Sequence, residues 1–370
     1  MSAPAVGRGG SVFEHGLVLG KFYPPHAGHH HLVRTARDRC ARLTVLVCAS
    51  SVESVPLADR VRWMREVHPE ADVRVVGAVD DIPVDLHDSG VWDAHMAVFR
   101  AAVPERVDAV FSSEGYGEEL GRRFGAESVL VDLDRTVFPV SGTAVRKDPV
   151  GCWDFLAPPV RAALTRRVVV LGAESTGTTT LALALAEHYR RRGGVWARTR
   201  YVPEYGREFS ERKLAALRAR WPSARWEDVE FTTDEFPLIA VRQNALEEEA
   251  ARAGSPVLFC DTDSFATTVW HERYVGGRDP RTEKIAELND HHLWLLTDHE
   301  GVAFEDDGLR DGEELRPWMT GRFGAELART GRQFIRVSGS REERLAAAVA
   351  AVDALLARGW DFAPPLPERR

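Results

Sequence analysis

Gly20-Lys21-Phe22-Tyr23-Pro24-Pro25-His26-Ala27-Gly28-His29 is the stretch on which the reading of this chain turns. It follows the apolar run Leu17-Val18-Leu19 and precedes a helical pattern over 30 to about 42. Strand, Gly/Pro turn and helix in that order bring backbone N–H groups and two imidazoles to one helix N-terminus, a natural phosphate cradle. His26 and His29 stand on either side of Gly28, so both can face a polyphosphate that the backbone approaches closely. By itself a His-x-Gly-His tetrapeptide reads equally well as a proline-rich turn with surface histidines. The flanking strand and helix tip the balance toward phosphate.

At 370 residues the chain has room for two ordinary domains. Its 44% hydrophobic and 28% charged residues are those of a soluble globular protein. No apolar run approaches the roughly 18–20 residues that a membrane span needs, so no membrane partner is expected. The N-terminal 1–11 stretch lacks the apolar core of a signal peptide. Cys40, Cys48, Cys152 and Cys260 are isolated, which suggests neither a zinc site nor a disulfide framework and fits a reducing cytoplasm. A net charge of −8 argues against a nucleic-acid partner, yet leaves room for a nucleotide held by local N–H groups and a few arginines. Whether the chain is a monomer or a homo-oligomer stays open.

Short β-like runs alternate with amphipathic helical patterns along the first half: strands are expected at 16–19, 43–48, 73–76, 107–111 and 128–131, helices at 58–67 and 92–102. A second series follows, with strands at 167–171, 197–201, 257–260, 292–296 and 333–337 and helices at 179–192, 237–253 and 342–358. Repeated β-α-β units imply parallel sheets covered on both faces, with ligands at the carboxyl ends of the strands. Proline and glycine gather between the two series, so the expected fold is α/β with two doubly wound domains, 14–150 and 164–360. The tail from Phe362 reads as frayed.

Further segments carry phosphate chemistry. Val140-Ser141-Gly142-Thr143-Ala144-Val145-Arg146 offers two hydroxyls and a guanidinium on a turn that enters a short helix, although a Ser cap with a surface arginine has the same look. Gly172-Ala173-Glu174-Ser175-Thr176-Gly177-Thr178-Thr179-Thr180 follows the apolar run at 168–171 and precedes a helix, the context of a P-loop. There the amides cradle a β-phosphate and the Thr179 hydroxyl serves Mg²⁺, but Thr178 occupies the position of the usual lysine. Loss of one such preorganised donor costs on the order of 10²–10³ in rate unless something replaces it. Asp261-Thr262-Asp263 ends an apolar strand, where a carboxylate meets Mg²⁺. Tyr201-Val202-Pro203-Glu204-Tyr205-Gly206-Arg207-Glu208 adds polar groups after another strand. Asp306-Asp307-Gly308-Leu309-Arg310 reads as a polar lid from which Arg310, or Arg316 beyond it, restores the missing charge.

The Gly-x-Phe-x-Pro-x-His-x-Gly-His frame at Gly20–His29 and the Ser-x-Thr-x-x-Arg frame at Ser141–Arg146 together resemble the nucleotidyltransferase superfamily. With Phe111-Ser112-Ser113-Glu114-Gly115-Tyr116-Gly117 and Val131-Asp132-Leu133-Asp134-Arg135, the first half looks like the nicotinamide-mononucleotide adenylyltransferase of bifunctional NadR-type NAD-salvage enzymes. The second half is similar to their ribosylnicotinamide kinase, so the resemblance spans nearly the whole chain.

The resemblance implies an N-terminal Rossmann-like nucleotidyltransferase and a C-terminal P-loop kinase. ATP and Mg²⁺ would serve both, and nicotinamide mononucleotide, ribosylnicotinamide and NAD would be the other ligands. It casts Lys21, His26, His29 and Arg146 on the ATP phosphates of the first half, with Gly20, Phe22, Gly28, Ser141 and Thr143 beside them. Trp92, Ser113, Tyr116, Asp132 and Arg135 fall to the mononucleotide; Trp92 reads equally as core, and Asp132 with Arg135 as a surface ion pair. In the second half it casts Gly172 to Thr180 on ATP, Thr179 and Asp261 on Mg²⁺, Glu204, Asp261 and Arg310 in catalysis, and Tyr205, Arg207 and Asp263 on the riboside. The departure at Thr178 keeps a second reading in play, an adenylyltransferase whose C-terminal domain is a degenerate nucleotide sensor. A third is a nucleotide-responsive interaction protein without activity. The short segment before the first strand leaves no room for the helix-turn-helix that some members carry, so no DNA binding is expected.

Overall fold

The computed structural model describes residues 13–305 and 312–369. It divides into two compact units, Met1–Val160 with Trp360–Arg370, and Arg161–Gly359.

The first unit runs β1 (Phe13–Gly20), α1 (Ala27–Arg37), β2 (Cys40–Ala49), α2 (Leu57–Val67), β3 (Val73–Val79), β4 (Val84–Asp85), α3 (Ser89–Ala102), β5 (Ala109–Ser112), α4 (Gly117–Phe124), β6 (Glu127–Leu130) and α5 (Gly142–Lys147). Its main sheet has the order β3-β2-β1-β5-β6, parallel throughout. Successive residues of β1 point to opposite faces: Val18 joins Leu32, Val33 and Ala36 of α1, while Leu17 joins Trp92, Met96 and Phe99 of α3. Burial on both faces explains why the β1 and β2 sequences read as continuous apolar runs. The strand order reverses at β1, with β2 on one side and β5 on the other, which opens a crevice at its carboxyl end.

Helix α6 (Pro158–Leu164) spans the division between the units. The second unit then follows with β7 (Arg166–Leu171), α7 (Thr178–Arg190), β8 (Arg200–Val202), α8 (Tyr205–Arg218), α9 (Glu235–Ala253), β9 (Val257–Asp261), α10 (Ser264–Val275), α11 (Pro280–Ala286), β10 (Leu293–Thr297), α12 (Arg316–Arg329), β11 (Phe334–Val337) and α13 (Arg341–Ala357). Its parallel sheet is ordered β11-β10-β7-β9-β8. Val168 and Val170 face α7 and α13, and Val169 and Leu171 face α10 and α12. The chain is thus α/β with two doubly wound parallel sheets.

Three local expectations need correction. Helix α1 starts at Ala27 with His26 as its N-cap and stops at Arg37, so that β2 begins inside the stretch read as helix. Strand β8 lies at Arg200–Val202 because Gly194–Arg198 winds into a 3₁₀ turn capped by Gly193, with both Gly193 and Gly194 at positive φ. The tail is not frayed: β12 (Glu368–Arg369) pairs in parallel with β4 of the first unit.

Candidate functional sites

In the first unit, α1 carries its first turn to the mouth of the crevice. His26 and His29 stack with ring centroids 3.7 Å apart, and the Phe22 ring supports His29 at 4.9 Å. Phe22 is almost fully buried and takes a left-handed φ of 47°. Burial pushes the His26 pKa down to about 3 and that of His29 well below its ordinary value, so both rings are neutral near pH 7. Nδ1 of each is buried with no hydrogen-bond partner among the described residues. Two unpaired imidazole nitrogens side by side are a cost that a ligand offering polar atoms would remove. His30 turns away and bonds His68 through Nδ1 and Nε2 at 2.9 Å.

Helix α5 supplies the facing wall. Ser141 caps it, its hydroxyl accepting from Ala144 N at 3.1 Å. Arg146 lies over the Tyr23 ring at 4.9 Å, donates to the Tyr23 carbonyl at 2.7 Å and reaches the Thr143 hydroxyl at 3.1 Å. These groups line a cavity of about 430 Å³ together with Gly20, Lys21, Phe22, Gly28, Ser113, Tyr116, Asp132 and Arg135. Arg135 pairs with Glu114 at 2.6 Å. Asp132 accepts from the backbone N–H groups of Thr136 and Val137 at 2.8 and 3.2 Å, so it shapes its own loop.

Trp92 stands apart from that cavity. It is buried in α3, donates from Nε1 to the Leu86 carbonyl at 3.2 Å and lies under the Arg123 guanidinium at 5.3 Å. It lines an adjoining, mostly apolar cavity of about 110 Å³ with Leu19, Cys48, Leu86, Phe99 and Leu120, where Asp80 and His95 pair at 2.7 Å. Lys21, Tyr116 and Glu368 line both cavities.

In the second unit, the loop from Gly172 to Gly177 joins β7 to α7, with Ser175 and Gly177 at positive φ of 54° and 83°. A Cβ on Gly172 would lie 2.1 Å from the Thr297 hydroxyl, so this position admits only glycine. Thr176 does not face the cavity. Its buried hydroxyl bonds the Ala173 carbonyl and the Thr297 hydroxyl at 2.7 Å each, and Arg344 donates to its carbonyl at 2.8 Å. Thr179 donates to Asp261 Oδ2, which also accepts from the Tyr201 hydroxyl at 3.2 Å. Burial raises the Asp261 pKa, and hydrogen bonds from Thr179, Thr178 and Tyr201 oppose the rise. Threonine at the lysine position therefore feeds the same carboxylate as Thr179.

Gly172, Glu174, Ser175, Thr178, Thr179, Glu204, Arg207 and Asp261 share a cavity of about 130 Å³. Thr176, Gly177, Thr180, Tyr205 and Asp263 do not line it. Asp263 is fully buried, capping α10 through Ala266 N at 2.8 Å and accepting from Trp294 Nε1 at 2.9 Å, so it organises the fold beneath the site. Tyr205 takes the Gln243 side chain on its backbone N–H at 2.9 Å. Arg310 lies outside the described residues. Arg316 is buried and donates to the carbonyls of His299 and Val302 at 2.7 Å each, holding a loop together. Arg207 is the cationic side chain that lines this cavity among the described residues.

The sequence reading missed an aromatic wall. Trp226, Phe231, Phe236, Trp270 and Tyr274 line the cavity, with Phe231 and Tyr274 centroids 4.8 Å apart and Trp270 stacked near Tyr274 at 6.0 Å. Behind it Arg273 lies 4.8 Å from the Tyr274 ring centroid and pairs with Glu174 of the loop at 2.7 Å, both side chains nearly buried. The pattern of two aromatics four apart on α10, Trp270 and Tyr274, was the available signal.

A family model described as AAA domain matches residues 167–344. The trifunctional NAD biosynthesis/regulator protein NadR of Escherichia coli (strain K12) is 25% identical over 312 residues, which cover 80% of this chain and 71% of that protein. Among solved structures, a NadR protein in complex with NR superposes with a TM-score of 0.71 at 21% identity, over 96% of this chain and 98% of that one. A NadR protein in complex with NAD and AMP-PNP gives 0.70 at 20% identity, over 95% and 99%. At these identities the two structures speak for the fold.

Proposed function

The chain is a NadR-type protein, and from that premise we propose that it builds NAD in two steps, one in each unit. The second unit phosphorylates ribosylnicotinamide from ATP, and the first joins the resulting nicotinamide mononucleotide to the adenylyl group of a second ATP. A role in NAD biosynthesis with binding of NR, NAD and ATP is the broader reading that the relatives' names support. The observation that carries the finer one is the pair of Nδ1 atoms of His26 and His29, buried without a hydrogen-bond partner among the described residues in a cavity that Arg146 also lines.

In the first unit a phosphate oxygen of the mononucleotide attacks the α-phosphorus of ATP. The bond from that phosphorus to the bridging oxygen breaks, and pyrophosphate leaves with the electron pair. Such transfer needs positioning and charge stabilisation, not an acid/base pair. Neutral imidazoles donate hydrogen bonds to phosphate, and Lys21 and Arg146 offset the charge that develops on the leaving group.

In the second unit the hard oxygens of Thr179 and Asp261 lie side by side and would hold Mg²⁺, which would supply positive charge beside the transferred phosphate. The riboside carries a pyridinium cation, and the wall of Trp226, Phe231, Trp270 and Tyr274 is suited to a flat cation. Glu204 and Arg207 line the same cavity and are left to the sugar hydroxyls and the transferred phosphate.

One observation favours the alternative of a nucleotide-sensing second unit: Thr178 brings no charge to the loop and bonds Asp261. Incubation with ribosylnicotinamide, ATP and Mg²⁺, with mononucleotide and NAD followed together by chromatography, separates the two. NAD formation supports both steps. NAD that appears only when the mononucleotide is supplied leaves the second unit as a sensor.

A further inference from the structure

The last residues of the chain are built into the first unit. Ala363 is clasped on both sides: its carbonyl accepts from the Tyr23 hydroxyl at 2.8 Å and its N–H donates to the Ser54 hydroxyl at 3.0 Å. Tyr23 and Ser54 bond each other at 2.8 Å, and Phe362 packs edge-on against the Tyr23 ring at 5.9 Å. Further along, the Val84 and Leu86 N–H groups donate to the carbonyls of Pro367 and Arg369 at 3.2 and 3.0 Å. Four backbone or hydroxyl bonds and a ring contact are more than a loose end acquires.

Two consequences reach the cavity. Tyr23 is the residue whose carbonyl and ring hold Arg146, with Arg60 over the same ring at 4.3 Å. Pro365 and Glu368 line the phosphate cavity, and Glu368 also lines the apolar one. A mononucleotide with its phosphate beside Lys21 and its base against Trp92 would place its ribose at the wall the two cavities share, where Glu368 stands.

We propose that the C-terminal tail is a working part of the nucleotidyl-transfer site. It fixes Tyr23, and through it Arg146, and it offers the Glu368 carboxylate to the ribose hydroxyls of the acceptor. This inference rests on the adenylyl-transfer reading of the first unit.

The test uses the full chain, with mononucleotide binding measured by calorimetry beside steady-state NAD synthesis. Glu368→Gln should raise the KM and the Kd for the mononucleotide on the order of tenfold, the size expected for losing hydrogen bonds to a charged acceptor, and leave the KM for ATP in place. Glu368→Asp should recover part of that loss. Tyr23→Phe, which removes the hydroxyl clasp, should lower kcat and leave mononucleotide binding intact. Phosphorylation of ribosylnicotinamide should be the same in all three. Unchanged KM and Kd in Glu368→Gln overturn the proposal, as does a variant that only lowers the melting temperature. If the unmutated chain neither binds the mononucleotide nor makes NAD, the adenylyl-transfer reading has failed and the tail proposal falls with it, an outcome visible before any variant is made.

Discussion

The two candidate phosphate sites of this chain differ in how their polar atoms are paired. Around the first cavity the polar atoms wait: Nδ1 of His26 and His29 are buried without partners among the described residues. Around the second they are bonded to one another, Thr179 and Tyr201 to Asp261, Thr176 to Thr297, and Glu174 to Arg273. An unsatisfied buried donor is tolerated where a ligand pays for it, whereas a closed network must be opened before a ligand enters. On the proposed reading, the first site has polar atoms ready for phosphate as it stands, and the second depends on whether Arg207 replaces the charge that a loop lysine would bring.

The largest way to break the comparison is to remove a waiting group. His29→Ala should lower NAD synthesis from ATP and mononucleotide by on the order of 10²–10³ while ribosylnicotinamide phosphorylation holds its rate, since one preorganised donor carries about that much. Equal loss of both activities would point to a folding defect instead.

Thr178→Lys sharpens the other side. Restoring the loop cation should raise phosphoryl transfer by about 10–10² and leave NAD synthesis from the mononucleotide alone. No change would mean that Arg207 or another arginine already supplies that charge in full.

Gly172→Ala tests the closure of the second loop. The added methyl meets the Thr297 and Thr176 hydroxyls at 2.1 and 2.6 Å. Overpacking of this kind costs about 1–3 kcal/mol. Calorimetry should show the second unit melting earlier and the first unmoved.

The smallest effect is a difference in acid response. His26 and His30 are depressed to about 3, His68 to about 4 and His29 well below normal, each chiefly by burial. A histidine whose folded pKa is depressed binds fewer protons folded than unfolded, so its contribution is complete above the unfolded value near 6.5 and is lost as pH falls below it. In the second unit His291 is shifted upward, the reverse sign, and keeps its contribution as pH falls, while the buried carboxyls of Asp261 and Asp263, also shifted upward, shed a burial penalty as they protonate; His292, at about 3, shares the trend of the first unit. Hydrogen exchange at pH 7 and pH 5 should therefore show β1 and β2 losing protection before β7 and β9.

Much of the fold was legible because its decisive signals are local. Leu17-Val18-Leu19 and Val168 to Leu171 pack on both faces, and each runs straight into a glycine-containing loop, so strand, loop and helix sit within one short window. The same locality exposed Thr178. What stayed illegible depends on partners far away in sequence. Asp263 looked like a ligand beside Asp261, but its partner Trp294 lies on another strand and turns it into scaffold. The aromatic wall gathers residues of α9, α10 and the segment before α9, which no periodicity links. The proline-rich tail read as frayed since nothing near it in sequence pairs with it; Tyr23 and Ser54, which hold it, lie more than 300 positions upstream.

The measurement that bears most directly on the account is incubation of the purified chain with ATP, Mg²⁺ and nicotinamide mononucleotide, with NAD and pyrophosphate quantified together. NAD and pyrophosphate should form in equal amounts, and both should be lost in His29→Ala. No NAD from the unmutated chain, or equal NAD from the variant, would contradict it.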